Sequence, residues 1–162
     1  MTPHQQQNQN KKFDRQQPQP FAAPPVPEIK IKEVLEGNDP KLLIDEAKCL
    51  ADRLTDSSEG ATTQVRRLFT SFRQIEHDWP LDVEDDPEKK KAAEDAYFEL
   101  VLFIPKLRYV ASKHFKIKAL TNVLEDAIAL VKEDRAKLSV LMNFFEATVA
   151  YYVANSSKNK KN

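Results

Sequence analysis

The sequence predicts an all-α protein, a compact bundle of about five to six helices in which one helix is kinked by proline. Three observations support this fold class. The only two glycines, Gly37 and Gly60, lie between segments whose apolar residues recur at helical spacing. The pairs Asp39-Pro40 and Asp86-Pro87 each place a capping carboxylate before proline at the first helical position. Trp79-Pro80 ends another periodic segment, because a residue before proline disfavours helical backbone.

The first half of the chain contains three predicted helices. Residues 29–35 are ambiguous, since IKIK alternates as in a strand whereas Ile31, Val34 and Leu35 share a helical face; we predict a short helix. The helix that begins at Asp39 carries one apolar face, formed by Leu43, Ala47, Leu50 and Leu54. The next helix begins with Thr62 as its N-cap and turns these residues inward: Val65, Leu68, Phe69, Phe72 and Ile75.

The second half contains the longest predicted helix, from Glu88 to about Lys113. It is apolar all round between Tyr97 and Ile104 and then meets Pro105, which must lose one backbone hydrogen bond, so a kinked and partly buried helix is expected. A further amphipathic helix follows, with Leu120, Val123, Leu124, Ala127, Ile128 and Val131 on one face.

The last predicted helix has two apolar faces. One face holds Leu138, Leu141, Phe145, Val149 and Tyr152. The opposite face holds Val140, Phe144, Ala147 and Tyr151. Such a helix is either central in the bundle or shared with another chain, and we predict homo-oligomerisation through Val140, Phe144 and Tyr151.

The two ends differ in composition from the middle. Residues 1–27 hold seven glutamines and six of the ten prolines, so we expect a disordered arm, followed by a helical domain over residues 28–155. Residues 156–162 form a polar, basic sequence, and we expect a disordered tail there. The longest apolar run, Leu100–Ile104, is too short to cross a bilayer, and the glutamine-rich start lacks the apolar segment of a signal peptide. We therefore expect a cytoplasmic protein without membrane contact.

Catalytic patterns are nearly absent. The three histidines, His4, His77 and His114, are not at metal-ligand spacing from one another, and two isolated glycines cannot form a phosphate-binding loop. The acids from Asp82 to Glu88 lack the glycine turn of a calcium loop. We predict no metal, no cofactor and no enzymatic activity. Glu146, a carboxylate among aromatic and aliphatic residues, is interpreted as a paired side chain rather than as a catalytic acid.

The charges segregate although the formal net charge is zero. Residues 76–88 contain seven acids and no Lys or Arg, whereas residues 100–124 contain five bases and no acid. In GATTQVRRLF, Arg66 and Arg67 lie near a helix start, where the macrodipole favours anions. An incoming phosphate and salt bridges to nearby acids explain these arginines equally well. A solvated charge run explains the basic segment as well as a binding site does.

Three segments resemble one known family when they are taken together. They are GATTQVRRLFTSF, LFIPKLRYVAS and FFEATVAYY, and they span Gly60–Tyr152. In this order and at these separations they are similar to the small helical subunit of type III-A CRISPR effector complexes, the Csm small subunit. The chain departs from the family after Pro-Lys-Leu, where it has Arg108, Tyr109, Val110, Ala111, Ser112 and Lys113 instead of Ala-Tyr-Ala-Ala-Gly-Arg.

The resemblance implies a non-catalytic protein that is repeated along a ribonucleoprotein. It implies packing against other copies and against the backbone subunits, beside the channel in which guide RNA and target RNA pair. Such a subunit needs only a few basic residues to contact the phosphates of these RNAs, because base pairing between the two RNAs provides the sequence specificity. The candidate RNA-binding residues are Arg66, Arg67, Arg73, Lys106, Arg108 and Lys113. The alternative is a homodimeric helical adaptor without RNA contact, which does not need these bases to converge.

Overall fold

The computed structural model describes residues 28–54 and 58–159, and within them it contains six α-helices and one short 3-10 turn but no strand. The predicted all-α class is confirmed. The predicted arm over residues 1–27 lies outside the described residues. The helices are α1 (Ile31–Gly37), α2 (Pro40–Arg53), α3 (Glu59–Asp78), α4 (Pro87–Lys113), α5 (Lys118–Val131) and α6 (Arg135–Asn159), and the 3-10 turn is Phe115–Ile117.

Helix boundaries follow the signals in the sequence at three places. Asp39 Oδ1 accepts a hydrogen bond from the Lys41 N–H at 2.9 Å, and Asp86 Oδ1 accepts one from the Glu88 N–H at 3.0 Å. Each carboxylate therefore satisfies an N–H group that has no partner within its helix. Trp79 closes α3, where its own N–H donates to the carbonyl of Ile75 at 3.1 Å.

Helix α6 lies in the middle of the bundle and contacts α1, α2, α3 and α5. Its residues Leu138, Leu141, Phe144, Phe145 and Tyr152 are essentially inaccessible to water. The ring of Phe145 meets Phe69 and Phe72 of α3 edge to face, with centroid separations of 5.5 and 5.8 Å. Aromatic packing of this kind stabilises a core beyond its apolar area alone. The α3–α6 contact therefore fixes α3 in the bundle.

Helix α4 lies at the edge of the bundle, packed against α3, α5 and the 3-10 turn. Its buried side runs through Leu100, Phe103 and Leu107, and Phe72 meets Phe103 at a centroid separation of 5.5 Å. Pro105 lies on the exposed side within a helix that continues to Lys113. The carbonyl that loses its partner at this proline can therefore be hydrated, which lowers the cost of an interior proline.

The start of α6 is tied to the end of α3 by Arg135. Its Nε donates to the Trp79 carbonyl at 3.1 Å, and its guanidinium also contacts Glu76 at 3.5 Å and the Ser139 hydroxyl. Helix α6 continues to Asn159 and Ser156 is buried, so helical structure extends past residue 155, the predicted domain end. No helix among the described residues is long and apolar enough to span a membrane.

Candidate nucleic-acid interface

Helix α3 starts one turn earlier than the sequence suggested. Ser58 is its N-cap, with Oγ accepting from the Ala61 N–H at 3.3 Å, and Thr62 lies inside the helix with its hydroxyl donating to the Ser58 carbonyl at 3.0 Å. The prediction of Thr62 as the cap is therefore wrong. Arg66 and Arg67 lie beyond the first turn, where the macrodipole has little influence. Their placement must be explained by what surrounds them on the surface.

Arg66, Arg67 and Lys106 meet in one open groove between α3 and α4, of about 640 Å³, which we call the basic groove. Because α3 and α4 pack side by side through Phe72 and Phe103, a base 40 residues from Arg66 in the chain reaches the same surface. Polar and apolar residues complete the lining: Thr63, Gln64, Leu68, Thr70, Ser71 and Val110. The groove thus combines three cations with several hydroxyl and amide groups.

Two neighbours hold Lys106 in place. Its Nζ donates to the Ser71 hydroxyl at 2.9 Å and lies 5.2 Å from the centre of the Phe103 ring. Ser71 was not singled out in the sequence, although Arg67, Thr70 and Ser71 lie one turn apart on one side of α3. The hydroxyl leaves the lysine charge intact, so Lys106 is positioned without being neutralised.

The basic groove keeps its positive charge. Within the described part of the chain, no carboxylate lies within ion-pair distance of Arg66, Arg67 or Lys106. Ion pairs with acidic residues in this part of the chain therefore do not account for the presence of these three basic residues in the groove. A concave, uncompensated surface with hydroxyl donors suits an anion with several oxygen atoms, such as a phosphate.

The other candidate bases lie elsewhere. Arg73 faces α6, where it pairs with Glu146 at 3.6 Å and lies 6.0 Å from the centre of the Phe69 ring. Lys113 lies over the ring of Tyr109 at 5.9 Å. The predicted set of six is thus divided, and only half of it lines the basic groove. Glu146 is exposed and forms an ion pair with Arg73, in agreement with its interpretation as a paired side chain.

Arg108 occupies the opposite flank of α4 and is held by Glu125 of α5. Its Nε donates to Glu125 Oε2 at 3.1 Å, and a second guanidinium nitrogen contacts Oε1. These hydrogen bonds hold the pKa of Glu125 below its ordinary value and raise the pKa of Arg108. Glu125 lies one residue beyond the acid-free segment 100–124, so the sequence pattern hid this partner.

One of the three predicted self-association residues, Phe144, needs a correction. Phe144 is fully buried inside the monomer, where it fills the core between the helices around α6, so it offers no surface to another chain. Val140 and Tyr151 are half-buried and pack against the same core. A continuous row of exposed apolar side chains lies on α4 instead. This outer stripe consists of Phe98, Val101, Leu102, Pro105 and Tyr109, spaced at three, four, seven and eleven residues.

Comparison with known proteins identifies the family. No cluster of three potential metal-binding side chains occurs among the described residues. Neither a curated protein nor a solved structure matched the chain. The family model described as Csm2 Type III-A matches residues 37–158, which include α2 to α6 almost completely and the whole basic groove. The chain therefore belongs to the Csm2 Type III-A family, the small subunits of type III-A CRISPR Csm complexes.

Proposed function

We propose that this protein is a non-catalytic small subunit that contacts the backbone of guide or target RNA through the basic groove. The proposal depends on one observation: Arg66, Arg67 and Lys106 meet in one groove. None of them forms an ion pair with a carboxylate in the part of the chain that the structure describes. Contacts to phosphates position an RNA without reading its sequence, which suits a complex whose specificity comes from base pairing. The complex acts in antiviral defence in the cytoplasm, where the chain needs no catalytic group of its own.

The weak overall charge of the chain agrees with a subunit that acts inside an assembly. The formal net charge is zero, so long-range attraction to RNA is small for the isolated protein. A few phosphate contacts per copy become useful when several copies are held along one RNA, because linked contacts raise the effective concentration of each. The isolated protein should therefore bind RNA weakly.

The outer stripe of α4 supports packing on other protein chains, including further copies of this one. Phe98, Leu102 and Tyr109 are each more than half exposed, which is unusual for neighbouring residues on one helix face of a monomer. The stripe is bordered by Asp95 and Glu99 towards its start and by Lys113 towards its end. An antiparallel second copy of α4 would place acids opposite bases on the same edge, as a two-fold interface requires.

Charge reversal tests the RNA contact. The double variant Arg66→Glu/Arg67→Glu should weaken retention of target RNA by the assembled complex, about equally for unrelated guide–target pairs. The matched control is Lys32→Glu/Lys41→Glu, which makes the same charge change on exposed residues of α1 and α2. Losses that depend on sequence would indicate base contacts. Equal losses in the control would show a general charge effect instead.

The second candidate function is a homodimeric helical adaptor without RNA contact. The outer stripe favours it, as does the pairing of Arg73 and Arg108 with acids. Phe98→Glu/Leu102→Glu adds charge to exposed positions and should disrupt protein assembly without unfolding the monomer. If this variant disrupts assembly while Arg66→Glu/Arg67→Glu leaves RNA content unchanged, the adaptor function is the correct one.

A further inference from the structure

The turn between α4 and α5 holds an aromatic side chain in solvent. Phe115 begins this 3-10 turn and is 73% exposed, more than any other aromatic residue in the described part of the chain. Two residues later, Ile117 is fully buried. The Ile117 N–H donates to the His114 carbonyl at 3.0 Å, and the Lys118 N–H donates to the Phe115 carbonyl. The buried isoleucine and the closed backbone therefore keep the phenyl ring outside the core.

The ring forms one wall of a cavity between α4 and α5, of about 440 Å³. This volume lies within the roughly 300–1,000 Å³ typical of small-ligand sites. Polar residues complete the wall: Arg108, Ser112, Lys118, Thr121, Asn122 and Glu125. Residues two apart on a helix lie about 200° apart around its axis, so Arg108 and Lys106 face opposite flanks of α4. The cavity is therefore separate from the basic groove.

Glu125 fixes the guanidinium of Arg108 at the second wall. The two hydrogen bonds between them use the edge of the guanidinium, at Nε and a terminal nitrogen. Because Arg108 remains 71% exposed, the flat faces of this group stay accessible to solvent. A phenyl ring and a guanidinium plane are the two kinds of protein surface on which unpaired RNA bases stack.

Positive charge surrounds the ring along the chain. Lys113, Lys116 and Lys118 are all exposed, and no acid occurs between residues 100 and 124. Glu125 is engaged by Arg108, so it does not neutralise these lysines. The amide of Asn122 supplies a donor and an acceptor, which matches the edge of a nucleobase. The cavity thus offers stacking, edge contacts and phosphate contacts together.

We propose that this cavity, the Phe115 site, binds an unpaired RNA base that stacks on Phe115 and Arg108, with Lys116 and Lys118 contacting the flanking phosphates. The site rests on the proposed function, because that function brings RNA to the protein. It requires different chemistry, however. The basic groove meets phosphates whether or not the RNA is paired, whereas the Phe115 site needs a base that has no partner strand.

Fluorescence of a tryptophan at this position tests the stacking directly. Phe115→Trp in the full chain keeps an aromatic face and adds a reporter, while the natural Trp79 is buried. A short unstructured single-stranded RNA, titrated at low salt, should quench this reporter, and the same strand annealed to its complement should not. The matched control is Phe98→Trp, which places the reporter at another exposed aromatic position, beside acids. It should show no quenching.

Affinity separates this site from the basic groove. Phe115→Leu keeps an apolar side chain but removes the aromatic face, and it should weaken single-strand binding about fivefold or more. It should leave duplex binding and the unfolding midpoint unchanged. Arg66→Glu/Arg67→Glu should weaken both kinds of RNA. If only the arginine variant acts, the Phe115 site is wrong and the groove stands; if only Phe115→Leu acts, the reverse holds.

Three results would overturn the proposal. The first is the absence of quenching in Phe115→Trp by single-stranded RNA. The second is equal quenching by duplex RNA, or by single-stranded RNA in Phe98→Trp, which would show unspecific contact. The third is a blue shift of the Phe115→Trp emission on assembly with other subunits, without quenching by RNA, which would assign Phe115 to a protein interface.

Discussion

Helices α4 and α6 are the longest in the described part of the chain, with 27 and 25 residues, and both carry apolar residues around most of their circumference. The bundle covers α6 on nearly all sides, whereas α4 lies at the edge and leaves the outer stripe exposed. The apolar content of the two helices therefore has different consequences. In α6 it stabilises the monomer, and in α4 part of it remains for contacts outside the monomer.

The same contrast applies to charged residues. The bases of α4 separate onto two flanks, with Lys106 in the basic groove and Arg108 bound to Glu125. Arg135, at the start of α6, is largely buried and binds groups at the end of α3. Arg135 thus serves the fold, whereas Lys106 and Arg108 of α4 keep surface that is exposed to solvent.

The largest expected difference concerns aromatic residues in the two helices. Phe144→Ala removes a fully buried ring of α6 and should lower the free energy of unfolding by about 3–5 kcal/mol. Phe98→Ala removes a ring of α4 that is 64% exposed and should change it by less than about 0.5 kcal/mol. Denaturant titration of both variants at low protein concentration measures the two effects. Equal losses would contradict the assignment of the outer stripe to contacts beyond the monomer.

The arginine at the start of α6 gives the next effect. Arg135→Ala leaves the Trp79 carbonyl and the half-buried Glu76 without this donor, so it should destabilise the fold by about 1–3 kcal/mol. The comparison variant is Arg108→Ala, whose pair on α4 is open to water and should contribute little. Thermal unfolding monitored by circular dichroism distinguishes the two. A larger loss for Arg108→Ala would reverse the proposed roles of the two helices.

A single lysine of α4 should change the salt dependence of RNA binding. Lys106→Gln removes one cation of the basic groove and should reduce the log–log slope of affinity against salt by about 0.7 for single strands. Arg73→Gln removes a cation that faces α6 and pairs with Glu146, so the slope should stay the same. Fluorescence anisotropy across a salt series measures both. An unchanged slope for Lys106→Gln would exclude this lysine from the RNA contact.

Most of the fold could be predicted because its signals are local. The Asp39 and Asp86 caps, the stop at Trp79 and the apolar periodicity each depend on residues within one or two turns. The cap of α3 was the exception, since Gly60 suggested a loop although it fits inside the first turn after Ser58. Glycine is disfavoured there but not excluded.

The candidate site could be predicted only in part because it depends on packing between helices. Periodicity shows that Arg67 and Ser71 share a side of α3, but it does not show that Lys106 of α4 reaches Ser71. It also does not show that Glu125 neutralises Arg108 across α4 and α5. Phe144 was wrongly assigned to self-association for the same reason. A helix with two apolar faces fits the centre of a bundle as well as an interface with another chain, and the structure shows Phe144 buried in the monomer.

The smallest expected effect concerns acid pH and the Arg108–Glu125 pair. Hydrogen bonds from Arg108 hold the pKa of Glu125 below its ordinary value. A lowered pKa in the folded state stabilises the protein above that ordinary value, and this stabilisation disappears as the pH falls through the folded pKa. Arg108→Gln should therefore lower the unfolding midpoint slightly at neutral pH, and the difference from the natural protein should shrink as the pH falls through the lowered pKa of Glu125 and vanish below it. The difference stays small because water screens both side chains.

Thermal unfolding across a pH series measures this difference, with Lys32→Gln as a variant that removes the same charge from an exposed position on α1. A difference that persists unchanged in acid would mean that Arg108 acts through packing of its side chain rather than through the glutamate.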